Sequence, residues 1–378
     1  NTGMVQAVAR TRGAGPLREG AVGVLGLFRD NGVDGELALT PPNGGRSLGA
    51  FVYQELAPFA RGADRAAAAP DAAPDVATRA PGRLAGVRVP FGLRYDAHVV
   101  ESRASERFGA GRRRAFGGVS GSVGLSVPLG AGLSLGTNVA RAVRAPAAEE
   151  LFSEAGHAGT GAFEIGDPDL RLERSTGVDA VLRVERRRAG AQLSAYANRI
   201  GDWIGLYATG RDTLAPDGIG GTKVLPLYQV QQRDATLRGV EGSAEWAVRG
   251  DSRARGVILG VMGDVVVARD REGSALPFMP PARLGGHARW EGTRGAAGAR
   301  VRHAFAQRRV PEGEFATDAY TLVDLHASWR LPLGGATHLL TLRVDNATDA
   351  LWRDGASRVK AFAPGVGRSV VLGVRSEW

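Results

Sequence analysis

Arg368-Ser-Val-Val-Leu-Gly-Val-Arg-Ser-Glu-Trp378 alternates between two faces. Trp378, Ser376, Val374, Leu372 and Val370 fall on one side, and Glu377, Arg375, Gly373 and Val371 on the other. A period of two marks a strand, here mostly apolar on one side and tolerant of charge on the other. An aromatic ring closing such a strand suits a boundary between hydrocarbon and water, where it can be half wet. A soluble edge strand carries the same pattern, so the rest of the chain has to decide.

The pattern recurs. Alternating or β-rich segments lie near residues 2–12, 18–30, 46–58, 83–99, 113–127, 132–144, 173–186, 190–207, 226–248, 255–268, 282–291, 297–306, 319–331, 337–346 and 368–378, which predicts fifteen strands. In 319–331, Thr321, Val323, Leu325, Ala327 and Trp329 oppose Asp324, His326, Ser328 and Arg330. In 173–186, Val178, Ala180, Leu182 and Val184 oppose Asp179, Arg183 and Glu185. Connections alternate in length. Short turns fall at Gly13–Leu17, Pro128–Ala131, Arg187–Ala189, Arg249–Ala254, Gly292–Ala296 and Pro332–Ala336, and long loops at 31–45, 100–112, 145–172, 208–225, 269–281, 307–318 and 347–367. Sandwiches have no reason to gather long loops at one end, whereas outer-membrane barrels have short turns on one side and long loops on the other. Residues 59–82, rich in Ala, Pro and Asp, break the alternation and read as a low-complexity insertion. The fold class is therefore all-β, an antiparallel transmembrane β-barrel. An odd strand count, set against the even numbers of bacterial barrels, predicts that further strands precede Asn1.

Composition agrees. Gly is abundant, at 55 of 378 residues, and no stretch reaches the ~18 apolar residues of a membrane helix. With no cysteine there is no disulfide framework and no thiolate metal site. The net charge of +9 comes almost wholly from arginine, since lysine occurs only at Lys223 and Lys360. The arginines are spread along the chain without a dense patch, so nucleic acid is not an expected partner. Gly130-Ala-Gly132 reads as a hairpin turn, because no strand–helix unit surrounds it. No His-Glu-x-x-His, nucleophile elbow or phosphate loop supports catalysis.

Several phrases, in order, resemble the barrel of TonB-dependent outer-membrane receptors. They are Asn138-Val-Ala-Arg-Ala-Val-Arg-Ala-Pro-Ala-Ala-Glu-Glu-Leu-Phe152, Phe163-Glu-Ile-Gly-Asp-Pro-Asp-Leu170, and Ala195-Tyr-Ala-Asn198 with Trp203-Ile204. Gln231-Gln-Arg-Asp-Ala235 leading to Gly239-Val-Glu241, then Val344-Asp-Asn-Ala-Thr348, Trp352-Arg-Asp354 and Ala363-Pro-Gly-Val-Gly-Arg368, complete the series. The resemblance covers roughly residues 20–378, is densest after residue 130, and is similar to the branch that includes zinc-uptake receptors. Gly355 stands where the family phrase often has His, and Trp378 where it usually has Phe. The resemblance implies the C-terminal portion of a large plugged barrel in the outer membrane of a Gram-negative-type bacterium. It implies energy-coupled uptake of a scarce ligand, a metal ion or metal chelate, with siderophore, haem and cobalamin also open. It implies partners too: the TonB energy-coupling system acting through a plug domain, the barrel-assembly machinery reading Trp378, and membrane lipid. The residues themselves leave two alternatives, a passive porin and a soluble all-β binding protein.

No resident cofactor is expected. For the transported metal, the loop 145–172 offers Glu154, His157, Glu164 and Asp167, because imidazole and carboxylate are suitable zinc ligands. Ordinary solvated loop chemistry accounts for the same residues. His303 and His326 fall in strand segments, and a hydrogen-bonded barrel wall is their expected place.

Overall fold

A computed structural model describes residues 1–33, 35–59, 84 and 86–378. The insertion read at 59–82 therefore lies, but for Phe59, outside the described residues. The described residues form one sheet of seventeen strands and one short helix. In chain order the strands are β1 (Thr2–Thr11), β2 (Gly20–Asn31), β3 (Asn43–Leu56), β4 (Val89–Ser102), β5 (Arg113–Gly130), β6 (Leu133–Arg144), β7 (Glu154–His157), β8 (Ala162–Ile165), β9 (Glu173–Glu185), β10 (Ala189–Pro216), β11 (Thr222–Ser252), β12 (Arg255–Asp270), β13 (Arg283–Glu291), β14 (Gly295–Ala304), β15 (Tyr320–Leu333), β16 (Ala336–Asp345) and β17 (Ser369–Glu377). Each of the fifteen expected segments is a strand. The two additions, β7 and β8, lie inside the segment 145–172 that periodicity reads as loop. Strands of four residues are too short to show a period. Residues 208–225 also differ from expectation, because β10 and β11 run through most of them and leave a turn at Asp217–Gly221. There the Asp217 carboxylate accepts the N–H groups of Ile219 and Gly221, at 2.9 and 2.8 Å, and these hold it below the usual carboxylate range.

The chain divides into two compact units. The first comprises Asn1–Ala180, Ala197–Thr236 and Arg269–Ser274. Its antiparallel register aligns one apolar face across four strands: Val24 opposes Ala50, Ala50 opposes Tyr95, and Tyr95 opposes Val119. Leu93 and Tyr95 are about half exposed, at 55% and 52%. The opposite face of β4 carries Arg94, Asp96 and His98. A one-residue slip would exchange the faces, so the hydrophobic pattern fixes the register.

The second unit comprises Val181–Tyr196, Leu237–Ala268 and Ala275–Trp378. Its register brings the opening observation into the fold. Leu325, Ala327 and Trp329 oppose Val344, Leu342 and Leu340, which in turn oppose Val370, Leu372 and Val374. Three strands thus share one exposed apolar band. Water does not stabilise such a band, whereas hydrocarbon does. His326 stands on the other face and covers Gly298. His303 instead lies on the apolar face, bonded to Thr321 at 2.9 Å and edge-on to Phe305.

Short turns demand special backbone. Gly250 and Gly256 face each other across the β11–β12 hairpin at φ +118° and +108°. A Cβ on Gly256 would collide with the carbonyl oxygen of Arg249. Gly256→Ala combines that clash with a left-handed backbone, and should cost about 1–3 kcal/mol. The midpoint of heat-induced unfolding in detergent measures it; an unchanged midpoint would show that the hairpin rearranges freely.

Candidate functional site

The polar face of the first unit builds a pocket. Gly49 opposes Asp96 in the register, and without a side chain there the Arg94–Asp96 pair can lie flat across β3. The pair is bidentate, Nε and one terminal nitrogen each 2.6 Å from a carboxylate oxygen. Next to it a cavity of about 460 Å³ is lined by Arg29, Asn43, Asp96, His98, Arg144 and Glu149, among others. Charges of both signs and imidazole converge on one volume, which suits a small polar or charged ligand.

The segment after β6 closes over this face. Helix α1 (Ala148–Phe152) follows Pro146, and its first turn carries Glu149 and Glu150. Carboxylates there favour the positive helix end, and Glu150 reaches back to accept the Ala147 N–H at 2.8 Å. Ser153 ends the helix, its hydroxyl donating to the Glu149 carbonyl at 2.6 Å. The helix is too short to stand alone, and packing holds it. Leu151 and Phe152 are buried with Leu170, Ile204 and Val230, and Val100 and Phe116 pack against them. Arg144, at the loop end of β6, donates to Glu150 at 2.8 and 3.0 Å and to Glu173 at 3.0 Å. Burial works against its charge, but the bonds to Glu173 and Glu150 outweigh it and hold the guanidinium above its ordinary value.

The strands β7 and β8 decide which expected metal ligands can meet. Ala155 opposes Glu164 and His157 opposes Ala162, so His157 and Glu164 share a face. His157 Nδ1 lies 2.9 Å from Glu164 Oε1, and the Thr160 hydroxyl donates to the same oxygen at 2.9 Å. Glu154 opposes Ile165 and belongs to the other face. Asp167 is turned to its own loop, accepting the Asp169 N–H at 2.8 Å. The structure brings two of the four together, and among the described residues no group of three His, Cys, Asp or Glu side chains could hold a metal ion.

The family model described as "TonB dependent receptor-like, beta-barrel" matches residues 81–347. The chain belongs to that family. Solved TonB-dependent receptors and related transporters share the fold. The copper transporter OprC superposes with a TM-score of 0.72 at 18% identity, over 99% of this chain and 56% of its own. The FrpB iron transporter from Neisseria meningitidis (F3-3 variant) gives 0.65 at 14%, over 99% and 55%. The ferric citrate transporter FecA, in its unliganded form, gives 0.65 at 11%, over 99% and 54%. The chain thus spans about half the length of these proteins.

Two features of this receptor barrel were not legible as sites in the sequence. The cavity draws residues from β2, β3, β4, β6 and the 145–149 segment, and no local motif announces such a convergence. The Arg233 guanidinium lies 4.1 Å from the Tyr207 ring centroid and 3.0 Å from Asp270. A cation over an aromatic face with a carboxylate partner is a firm contact. Only the phrase Gln231-Gln-Arg233, quoted for its resemblance, marked the neighbourhood.

Proposed function

We propose that the full-length protein is an outer-membrane receptor that captures a scarce metal ion or metal chelate and takes it up with energy supplied through TonB. The observation that carries the reading is a sheet apolar on one face, whose polar face holds a charged cavity closed by a folded segment, in a chain of this family. The names of the similar structures, transporters of copper, iron and ferric citrate, support a metal-containing cargo. No bond of the cargo need be made or broken; binding, shielding and release suffice. Cells expressing the full-length protein should accumulate labelled metal or chelate, and lose that accumulation when the inner membrane is de-energised. Accumulation indifferent to energy would make the protein a passive pore.

Orientation follows from the connections. A tag inserted at the Asp217–Gly221 turn should be labelled on intact cells, and one at Arg187–Ala189 only after the membrane is opened. Labelling of both from outside would sink the arrangement.

His157 and Glu164 extend the reading to cargo capture. Zinc takes four ligands, so two protein donors leave two positions for water or for the donors of a chelate. A neutral imidazole is needed, so binding should weaken as pH falls and protons compete. In the full-length protein, calorimetry at neutral pH should find zinc bound more weakly by the His157→Ala variant, by about tenfold on the scale of one lost ligand contact. Equal affinity would remove the pair from capture.

A further inference from the structure

The second unit carries five of the six tryptophans, and four of them are arranged alike; Trp352, in the long connection 346–368, instead donates its indole N–H to the Val366 carbonyl at 3.0 Å. Trp246, Trp290, Trp329 and Trp378 belong to, or directly follow, β11, β13, β15 and β17. Each is exposed and lies toward the short-turn end of its strand. Glycine makes room for two of them: Gly292 lies under Trp290 and Gly295 under Trp329. Just beyond the rings the short turns are basic. Arg186, Arg187 and Arg188 stand beside Glu185; Arg249, Arg253 and Arg255 beside Asp251; Arg294 beside Glu291; and Arg330 has no acidic neighbour in sequence.

Several of these charges are already used. Arg188 donates to the carbonyls of Ala247 and Val248, and Arg253 pairs with Glu185. Arg249, Arg255, Arg294 and Arg330 are exposed, and their side chains make no hydrogen bond or ion pair among the described residues. The long connections of the same unit leave fewer such groups. Arg308 pairs with Asp318 at 2.6 Å, and Arg309 is matched in sequence by Glu312. In 346–368, Arg353 donates to the Lys360 carbonyl at 3.2 Å, Arg368 to the Ala347 carbonyl at 3.5 Å, and Lys360 lies buried on Glu314. Four exposed arginines whose side chains have no partner among the described residues therefore coincide with tryptophan rings at the short-turn end.

A tryptophan ring places itself at the headgroup level of a bilayer, and the groups just outside it meet phosphate. Guanidinium matches phosphate in a planar two-bond geometry that ammonium does not. We propose that the short-turn rim of the second unit, built from Arg249, Arg255, Arg294 and Arg330 behind the Trp246, Trp290, Trp329 and Trp378 belt, is a docking surface for anionic phospholipid headgroups. The inference rests on the barrel standing in a membrane, as in the proposed function, and adds the lipid class and the residues. It gives the arginine excess of this rim a task, to anchor one end of the barrel against an anionic leaflet.

The test uses full-length protein in neutral detergent, titrated with phosphatidylglycerol or phosphatidylcholine, with retained lipid counted by native mass spectrometry. Heat-modifiable migration reports folding in every sample. The wild type should prefer phosphatidylglycerol by tenfold or more, and the preference should fade in high salt. The combined variant Arg249→Gln, Arg255→Gln, Arg294→Gln and Arg330→Gln should fold normally and lose it. Arg308→Gln with Arg309→Gln, at a long loop, should keep it. Equal retention of both lipids by the wild type overturns the proposal, as does a preference that survives the four substitutions or vanishes with the loop pair. Displacement by inorganic phosphate would make the rim a small-anion site and overturn it too. In those cases heat-modifiable protein leaves the barrel reading standing; a wild type that never becomes heat-modifiable overturns both.

Discussion

Lys360→Met should loosen the loop cluster of the second unit by about 3–5 kcal/mol, the cost of leaving one member of a buried ion pair without its partner. Lys360 and Glu314 are both nearly inaccessible, at 3% and 5% side-chain exposure, and are bonded to each other. The lysine also donates to the Gly355 carbonyl at 2.6 Å, and the other Glu314 oxygen accepts the Phe278 N–H at 3.0 Å. Phe278 is held at φ +57°, a conformation a bulky residue adopts only when its surroundings impose it. One ion pair thus ties together three long connections, around residues 278, 314 and 355–360. Gln307 reinforces it by donating to the carbonyls of Met279 and Pro280 at 3.0 and 3.1 Å. Glu314→Gln should also destabilise, since its single amide oxygen can replace only one of the two acceptors and the buried ammonium loses its counter-charge. Replacing both charges, with Met at 360 and Leu at 314, should restore much of the loss, because no buried charge is then orphaned. Hydrogen exchange across the three connections measures all of these. A double variant as unstable as Lys360→Met would show that packing, not charge pairing, holds the cluster. Arginine is not a safe replacement in this arginine-rich chain, because its planar fork needs more room than a closed ammonium site offers.

The second large effect is expected at Leu151. It is 1% exposed in the cluster that fastens α1 and its flanks to the sheet. Leu151→Ala removes several buried methyl groups and leaves a cavity, at a cost of about 2–5 kcal/mol. The loss falls on the docking of 145–172 rather than on the strands, whose ladder hydrogen bonds do not pass through Leu151. A loss near 3 kcal/mol raises the open population of that segment about a hundredfold. Proteolysis and hydrogen exchange within 145–172 should rise accordingly, while the heat-modifiable barrel remains. Protection unchanged in the segment would mean that the Arg144 bonds to Glu150 and Glu173 suffice to dock it. Under the proposed function, metal or chelate binding should weaken in the same variant, since the cavity loses its lining at Arg144–Glu149.

The sequence by itself determined fifteen of the seventeen described strands, the faces of those with a clear period, and the family. Period-2 alternation is written residue by residue, as in Val370, Leu372 and Val374, and no distant contact is needed to read it. The difference between short and long connections is equally local. Where short strands meet inside a connection, the local signal fails. Ala155-Gly-His157 and Phe163-Glu-Ile165 carry too few residues for a period, so β7 and β8 came only from the tertiary structure. The same holds for the metal candidates. Composition could gather Glu154, His157, Glu164 and Asp167 in one segment, but the antiparallel register put Glu154 on the opposite face from the His157–Glu164 pair. Face assignment in a hairpin depends on which residue opposes which, and that is set by pairing, not by spacing along the chain. The cavity beside Arg94 and Asp96, the buried Lys360–Glu314 pair and the alignment of tryptophans on alternate strands were likewise decided in three dimensions. Each joins residues far apart in sequence, and only the closing of loops and the staggering of strands brings them within bonding distance.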